Sequence, residues 1–278
     1  MKAAVLGSPI SHSLSPVLHR AAYRALGLTG WTYDAIECDE DGLAALVESR
    51  GPEWAGLSLT MPLKRTVLAL LDHVDPVAAA TGGVNTLVFR SDGRYGYNTD
   101  VQGIVDALTE AGAPAPGSVT ILGAGATACS ALAALPELGA TAADVVLRDP
   151  ARAAGLLATA DRLGIKVRLR PFAELDEDDA PVPDLLISTI PAGAANPYAE
   201  RAGLSRPVPA AVLDVVYAPW PTPLAEAAAA AGAVVASGFA MLLHQAAAQV
   251  ELMTGKPAPL EAMRAAGEAE LGRRLATR

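Results

Sequence analysis

Lysine is scarce in this chain. Of 21 basic residues in 278, only Lys2, Lys64, Lys166 and Lys256 are lysines. Cysteine is scarcer still: Cys38 and Cys129 fit no metal-ligand or CxxC spacing, which leaves no disulfide framework and no metal site to propose. Both read as reduced core residues. A basic excess is also missing. The formal net charge of −9 argues against a nucleic-acid binder, because a surface that follows phosphates needs a net positive face. An anionic small substrate, which needs only local positive charge, is not excluded. Long apolar runs are absent too, and alanine-rich stretches such as Ala227–Ala231 are too short and interrupted to span a membrane. No signal peptide is read ahead of the first strand. The expectation is a soluble cytoplasmic protein. Disorder is excluded by a hydrophobic content of 51% with regular glycine and proline punctuation. The length allows one large domain or two ordinary ones.

The scarcity of lysine directs attention to Gly56-Leu-Ser-Leu-Thr-Met-Pro-Leu-Lys64. Leu57 and Leu59 alternate with Ser58 and Thr60, the two-residue period of a short half-buried strand. Pro62 suits the first turn of a following helix through Val67 and Leu71. Thr60 and Lys64 then stand at a strand-to-helix junction, where polar side chains can face a cleft. Lys2 is terminal, Lys166 lies beside a glycine turn and Lys256 in a Gly-Lys-Pro loop. Unlike arginine, a desolvated lysine can release a proton near neutrality. The plain alternative is a solvated surface lysine, and only a partner elsewhere in the chain decides between them.

Upstream, Lys2–Leu6 reads as an apolar strand and Gly7-Ser-Pro-Ile-Ser-His-Ser13 as a polar loop. A helix opens with Ser15 at the N-cap and Pro16 at its first position, buries Leu18, Ala21, Ala22 and Ala25, and ends at Gly27. Ser13 and Ser15 beside the free N–H groups of a helix N-terminus form a natural carboxylate or phosphate cradle. Capping alone accounts for Ser15, but not for Ser13 and His12 in the same turn. Trp31–Glu37 and Glu40–Glu48 continue the strand–helix alternation of an α/β fold, with sites expected at strand carboxyl ends. Gly82-Gly83 leads into a strand from Val84 to Arg90, which a turn at Ser91-Asp92-Gly93 folds onto Arg94–Tyr97. Asp100 then opens the helix Val101–Leu108, either as its N-cap or as a member of the edge that holds Thr60, Lys64 and Asn85.

Together, Gly7-x-Pro9-Ile10-x-His12-Ser13-x-Ser15-Pro16, Thr60-x-Pro62-x-Lys64, Val84-Asn85-Thr86 and Gly96-x-Asn98-Thr99-Asp100 resemble the shikimate dehydrogenase family. The resemblance implies that Ser13 and Ser15 bind a substrate carboxylate. It implies that Thr60, Asn85, Asp100 and Gln245 hold ring hydroxyls, and that Lys64 and Asp100 form the catalytic pair. His19-Arg20 departs from the family's frequent His-Asn, outside that proposed site.

A Pro/Gly-rich joint at Pro114–Gly117 precedes the buried strand Val119–Leu122, which runs into Gly123-Ala124-Gly125-Ala126-Thr-Ala128 and a helix to Leu138. This is the G-x-G-x-x-A dinucleotide turn in its strand–turn–helix setting. Ala143–Leu147, Lys166–Arg170, Leu185–Ser188 and Ala211–Val216 supply further strands. Arg148 and Arg152 follow the second strand of this unit, where an arginine meets a 2′-phosphate and an acidic residue such as Asp149 favours the free hydroxyl of NAD. The expected cofactor is NADP, with NAD the alternative. Thr189 and Pro191 in Ser188-Thr-Ile-Pro-Ala-Gly193, and Tyr217 in the turn after Asp214, resemble the family's turns bordering nicotinamide and substrate. Gly238 and Met241 border the nicotinamide by the same resemblance, or Met241 is core; His244 reads as an ordinary helix histidine.

The expected architecture is therefore α/β in two domains. Residues 1–101 and 239–278 form a substrate-binding, catalytic domain, and 102–238 a Rossmann-like dinucleotide-binding domain. The C-terminal helices, ending in Leu260–Leu275, return to the first domain. The implied reaction is the reversible NADP-linked reduction of 3-dehydroshikimate to shikimate by a cytoplasmic monomer or homodimer. The alternatives are an NAD-linked quinate or aminoshikimate dehydrogenase, and a non-catalytic nucleotide-binding sensor.

Overall fold

The structure is a computed structural model that describes residues 1–172, 182–195 and 208–276. It divides into two compact units, Met1–Asp100 with Leu242–Arg278, and Val101–Met241. The Pro114–Gly117 joint lies inside the second unit.

The first unit is built on a six-stranded sheet of β1 (Lys2–Gly7), β2 (Thr32–Glu37), β3 (Trp54–Leu59), β4 (His73–Val74), β5 (Thr86–Arg90) and β6 (Gly93–Tyr97). Their spatial order is β2-β1-β3-β5-β6-β4. β1 pairs in parallel with β2 and β3, β5 runs antiparallel to β3 and β6, and β4 runs parallel to β6. Three helices follow strands: α1 (Ser15–Ala25), α2 (Glu40–Glu48) and α3 (Pro76–Thr81). The two-residue β4 and the short α3 escape the sequence pattern because neither is long enough to show a period.

Three local expectations are corrected. β3 is buried along its whole length, not half-exposed. Leu57 and Leu59 pack with Leu6, Leu43 and Val47, while Ser58 is buried against hydrogen-bonding side chains. Its polarity therefore marks an internal bond and not a solvent face. Pro62 does not open an α-helix: the Met61–Pro62 peptide is cis, and turns lead to a short 3-10 helix, Thr66–Leu70. The Lys64 carbonyl instead accepts from Val84 N at 2.8 Å, a tertiary bond that ties this turn to the start of the β5 segment. In α1, the N-cap is Leu14, and Ser15 is already helical with its N–H donated to Ser13 Oγ at 3.2 Å. Pro16 still lies in the first turn, and Gly27 takes the positive φ of 67° expected just past the end. Ala25 is exposed, whereas His19 and Tyr23 join the buried stripe.

Among the described residues the second unit holds six parallel strands: β7 (Val119–Leu122), β8 (Ala142–Leu147), β9 (Lys166–Pro171), β10 (Leu185–Ser188), β11 (Ala211–Asp214) and β12 (Val234–Ser237). Their order, β12-β11-β10-β7-β8-β9, is that of the doubly wound dinucleotide-binding sheet, with its switch point between β7 and β10. β12 is the strand that sequence reading omitted. Helices α4 (Asp100–Glu110), α5 (Ala126–Ala134), α6 (Ala154–Leu163) and α7 (Pro223–Ala230) accompany them. The β7, β10 and β11 strands are short, fully buried runs rich in Val, Ile and Leu, as burial on both faces requires, and β8 joins them over Val145–Leu147.

α8 (Gly238–Thr254) carries the chain back, and α9 (Leu260–Ala276) packs against α1. Arg274 of α9 donates to the carbonyls of His12 (2.7 Å) and Ser13 (3.4 Å), pinning the loop before α1. Among the described residues, no helix is long and apolar enough to cross a membrane, and no cluster of three His, Cys, Asp or Glu side chains is arranged for a metal.

Candidate functional site

The first unit brings Lys64, Asn85, Asp100 and Gln245 into one hydrogen-bonded group. Lys64 Nζ donates to Asp100 Oδ2 at 2.5 Å, with the two side chains 15% and 7% exposed. The scarce lysine thus has the carboxylate partner that the surface reading lacks. Asp100 stands in the first turn of α4, and its own N–H donates to Asn98 Oδ1 at 3.1 Å, so Asn98 and not Asp100 does the capping. That frees both oxygens of Asp100 for side chains. The second oxygen accepts from Asn85 Nδ2 at 2.8 Å.

Asn85 sits at the entry to β5, and its amide is fully engaged. Its nitrogen also donates to Thr99 Oγ1 at 2.9 Å and lies 3.3 Å from Gln245 Oε1. Its oxygen accepts from Thr86 Oγ1 at 2.8 Å and from Thr99 N at 2.9 Å. Gln245 is buried on α8 and donates to Leu242 O at 2.9 Å, a bond one helical turn back that leaves its carbonyl aimed at Asn85. Thr60 is half-buried at the end of β3, with its N–H bonded to Leu6 O at 2.9 Å. Gly7 is required beside it, since a Cβ there would stand 2.4 Å from Thr60 Cγ2. Ser13 is half-buried and Ser15 buried. Glu37 accepts from Ser8 Oγ at 2.6 Å and Ile10 N at 3.0 Å and holds the other end of their loop.

The partners that sequence reading missed are Ser58, Thr86, Thr99 and Gln249, all buried. Gln249 had a usable signal, as it follows Gln245 by four residues and so lies on the same face of α8.

In the second unit, the turn after β7 has two glycines with different physical reasons. Gly123 has φ 103° and donates to Val146 O, and a Cβ on it would meet Thr189 Oγ1 at 2.7 Å. Gly125 caps α5 from an extended conformation, exposed, with nothing within 4 Å of where a Cβ would stand. The protein does not need that space, whereas a closely approaching phosphate does. Among the described residues no side chain caps α5, so its first N–H groups suit an anion. The residues present therefore fit a dinucleotide. Ala124 and Ala126 flank Gly125, half-buried.

Arg148 is exposed just past β8. Asp149 Oδ1 accepts from Ala151 N at 3.0 Å and caps the 3-10 helix Pro150–Ala153, which carries the exposed Arg152. That bond keeps the acidic side chain occupied locally. Thr189 Oγ1 donates to Leu122 O at 2.7 Å, and Pro191 is exposed after it. Tyr217 is half-buried in the segment between β11 and α7. Asp214 anchors that segment, accepting from Thr222 Oγ1 at 2.7 Å and Val216 N at 3.2 Å, and burial raises its pKa. Gly238 answers to packing, since a Cβ would fall 2.3 Å from Val215 O. Met241 is 7% exposed in the core of this unit.

Residues 5–87 match the shikimate dehydrogenase substrate binding domain, and residues 238–266 the shikimate 5'-dehydrogenase C-terminal domain. A shikimate dehydrogenase (NADP(+)) of Methanothermobacter thermautotrophicus is 36% identical over 270 residues, covering 93% of each chain. The chain belongs to the shikimate dehydrogenase family. Among solved members, the Mycobacterium tuberculosis shikimate dehydrogenase shares 47% identity at a TM-score of 0.85, covering 96% of this chain and 98% of that one. The Thermus thermophilus shikimate 5-dehydrogenase, solved in complex with NADP(H) and shikimate, shares 33% identity at a TM-score of 0.81, covering 97% of this chain and 99% of that one. The family's two-domain α/β architecture with a Rossmann-like fold is the one described above.

Proposed function

We propose that this chain reduces 3-dehydroshikimate to shikimate reversibly with NADP as the redox partner, in the shikimate route to aromatic amino acids. The observation that carries this reading is the pair formed by half-buried Lys64 and buried Asp100 in a member of this family. The cofactor supplies or receives the hydride at the substrate carbon. The chain's task is then the proton: as hydride arrives, the ketone oxygen gains negative charge and must be protonated. Lys64 donates that proton, or accepts it in reverse. Asp100 holds the ammonium through one oxygen, while Asn85 holds the other, so the pair cannot swing as a free side chain does.

Thr60, Asn85, Asp100 and Gln245 are assigned to the substrate's ring hydroxyls and Ser13 and Ser15 to its carboxylate, with Tyr217 as a further contact. Gly123–Ala126, Thr189, Pro191, Gly238 and Met241 are assigned to the dinucleotide. Arg148 and Arg152 are assigned to its 2′-phosphate, and the capping role of Asp149 supports NADP over NAD. Residues 1–101 and 239–278 act as the substrate domain and 102–238 as the cofactor domain of a cytoplasmic monomer or homodimer.

Steady-state turnover of shikimate and of quinate with NADP+ and NAD+, followed at the nicotinamide absorbance, tests the reading. The expected result is the highest kcat/KM for shikimate with NADP+. Preference for quinate with NAD+ identifies the alternative enzyme, and binding without turnover identifies a sensor.

A further inference from the structure

Behind the Lys64–Asp100 pair runs a hydrogen-bonded chain of buried neutral side chains. Gln249 Oε1 accepts from Ser58 Oγ at 2.7 Å and lies 3.2 Å from His19 Nε2. Gln249 Nε2 donates to Asn85 O at 3.2 Å and to Thr86 Oγ1 at 2.9 Å. Thr86 Oγ1 accepts that N–H and in turn donates to Asn85 Oδ1, 2.8 Å away. The backbone N–H of Thr99, which can only donate, lies 2.9 Å from Asn85 Oδ1 and makes that oxygen the acceptor side of the amide, and the Thr86 hydroxyl is a second donor to it. The NH2 group is left facing Asp100 Oδ1. Were the amide turned over, its oxygen would face the carboxylate and its NH2 the Thr99 N–H, two repulsive contacts. Ser58, Thr86, Asn85 and Gln249 are each no more than 3% exposed, so water cannot substitute for a lost partner.

We propose that Gln249 and Thr86 are positioning residues for the reaction. Through the bond from the Thr86 hydroxyl they hold the Asn85 amide in place, and through it the carboxylate that holds Lys64. The proposal rests on the acid–base reading above and adds to it two residues that need not touch the substrate.

The test compares Thr86→Val, Thr86→Ser, Gln249→Met and Lys64→Ala with the wild type, together with Val47→Ala, a buried α2 position away from this network, as a stability control. Each is assayed for kcat, KM for shikimate and thermal unfolding. Thr86→Val keeps the volume but removes the donor, and kcat should fall about tenfold or more, the scale of a misplaced catalytic group. Thr86→Ser keeps the hydroxyl and should stay within about threefold of wild type by the same argument. Gln249→Met should follow Thr86→Val, and Val47→Ala should lose unfolding temperature without losing kcat. If Gln249→Met does not fold, the Thr86 pair decides alone. The proposal is overturned if Thr86→Val retains kcat, if serine does not rescue it, or if Val47→Ala loses kcat in the same proportion. A loss of activity in Lys64→Ala alongside an intact Thr86→Val confines the failure to this proposal. An active Lys64→Ala removes the acid–base reading, and this one with it.

Discussion

His19 makes the stability of the first unit sensitive to mild acid. It is fully buried on α1, stacked on the Tyr33 ring with centroids 3.9 Å apart. The Gln249 carbonyl faces Nε2, which fixes the proton on that nitrogen, and Nδ1 is buried with no hydrogen-bond partner among the described residues. A second proton would have to go onto Nδ1, where no acceptor waits and no water reaches the charge. Burial accordingly pushes the pKa down to about 3, against 6.5 for a free histidine, with the Gln249 bond opposing in part. Above pH 6.5 the ring is neutral folded and unfolded, and contributes no pH dependence. Between 6.5 and 3 only the unfolded chain takes up the proton, so stability falls as pH falls. At pH 5 the loss is about 1.36 kcal/mol for each of about 1.5 pH units, or about 2 kcal/mol. Urea unfolding followed by tryptophan fluorescence measures it in a Trp220→Phe background, which removes the second unit's tryptophan and leaves Trp31 and Trp54 in this unit. His19→Gln should flatten the decline between pH 6.5 and 5 by about that amount. Equal slopes in the two proteins would refute the reasoning.

Lys64→Met should lower kcat for shikimate oxidation by about 10²–10⁴-fold, the worth of a general acid–base, with a native circular dichroism spectrum. A kcat within about threefold of wild type would end the acid–base assignment. Ser13→Ala should raise KM for shikimate more than it lowers kcat, because a carboxylate contact remote from the ketone binds ground and transition states alike. An effect confined to kcat contradicts it. Arg148→Ala should weaken NADP binding by about 10–150-fold, or about 1.5–3 kcal/mol for a charge-assisted contact, and leave NAD binding nearly unchanged. Titration with both cofactors checks this, and equal losses for the two would place Arg148 away from the 2′-phosphate.

What the sequence alone determined is what local chemistry determines. The run from β7 through Gly123 and Gly125 into α5 is legible because a buried strand, a positive-φ turn and an uncapped helix start follow one another within a few residues. The β5–β6 hairpin and the α2 helix are legible for the same reason. The family itself was legible in four short motifs whose spacing is fixed along the chain. The tertiary structure decided the rest. Whether β3 is half-buried depends on what covers each face, and α8, almost two hundred residues away, supplies the Gln249 that turns Ser58 inward. Whether Pro62 opens a helix depends on Val84 claiming the Lys64 carbonyl. His19, one residue from the motif departure at Arg20, lies beside Gln249 only because α1 and α8 meet. Such bonds join residues distant in sequence, and their polarity is set by the last unfilled donor or acceptor. A sequence names the residue types able to form them, and only the folded chain says which of them meet.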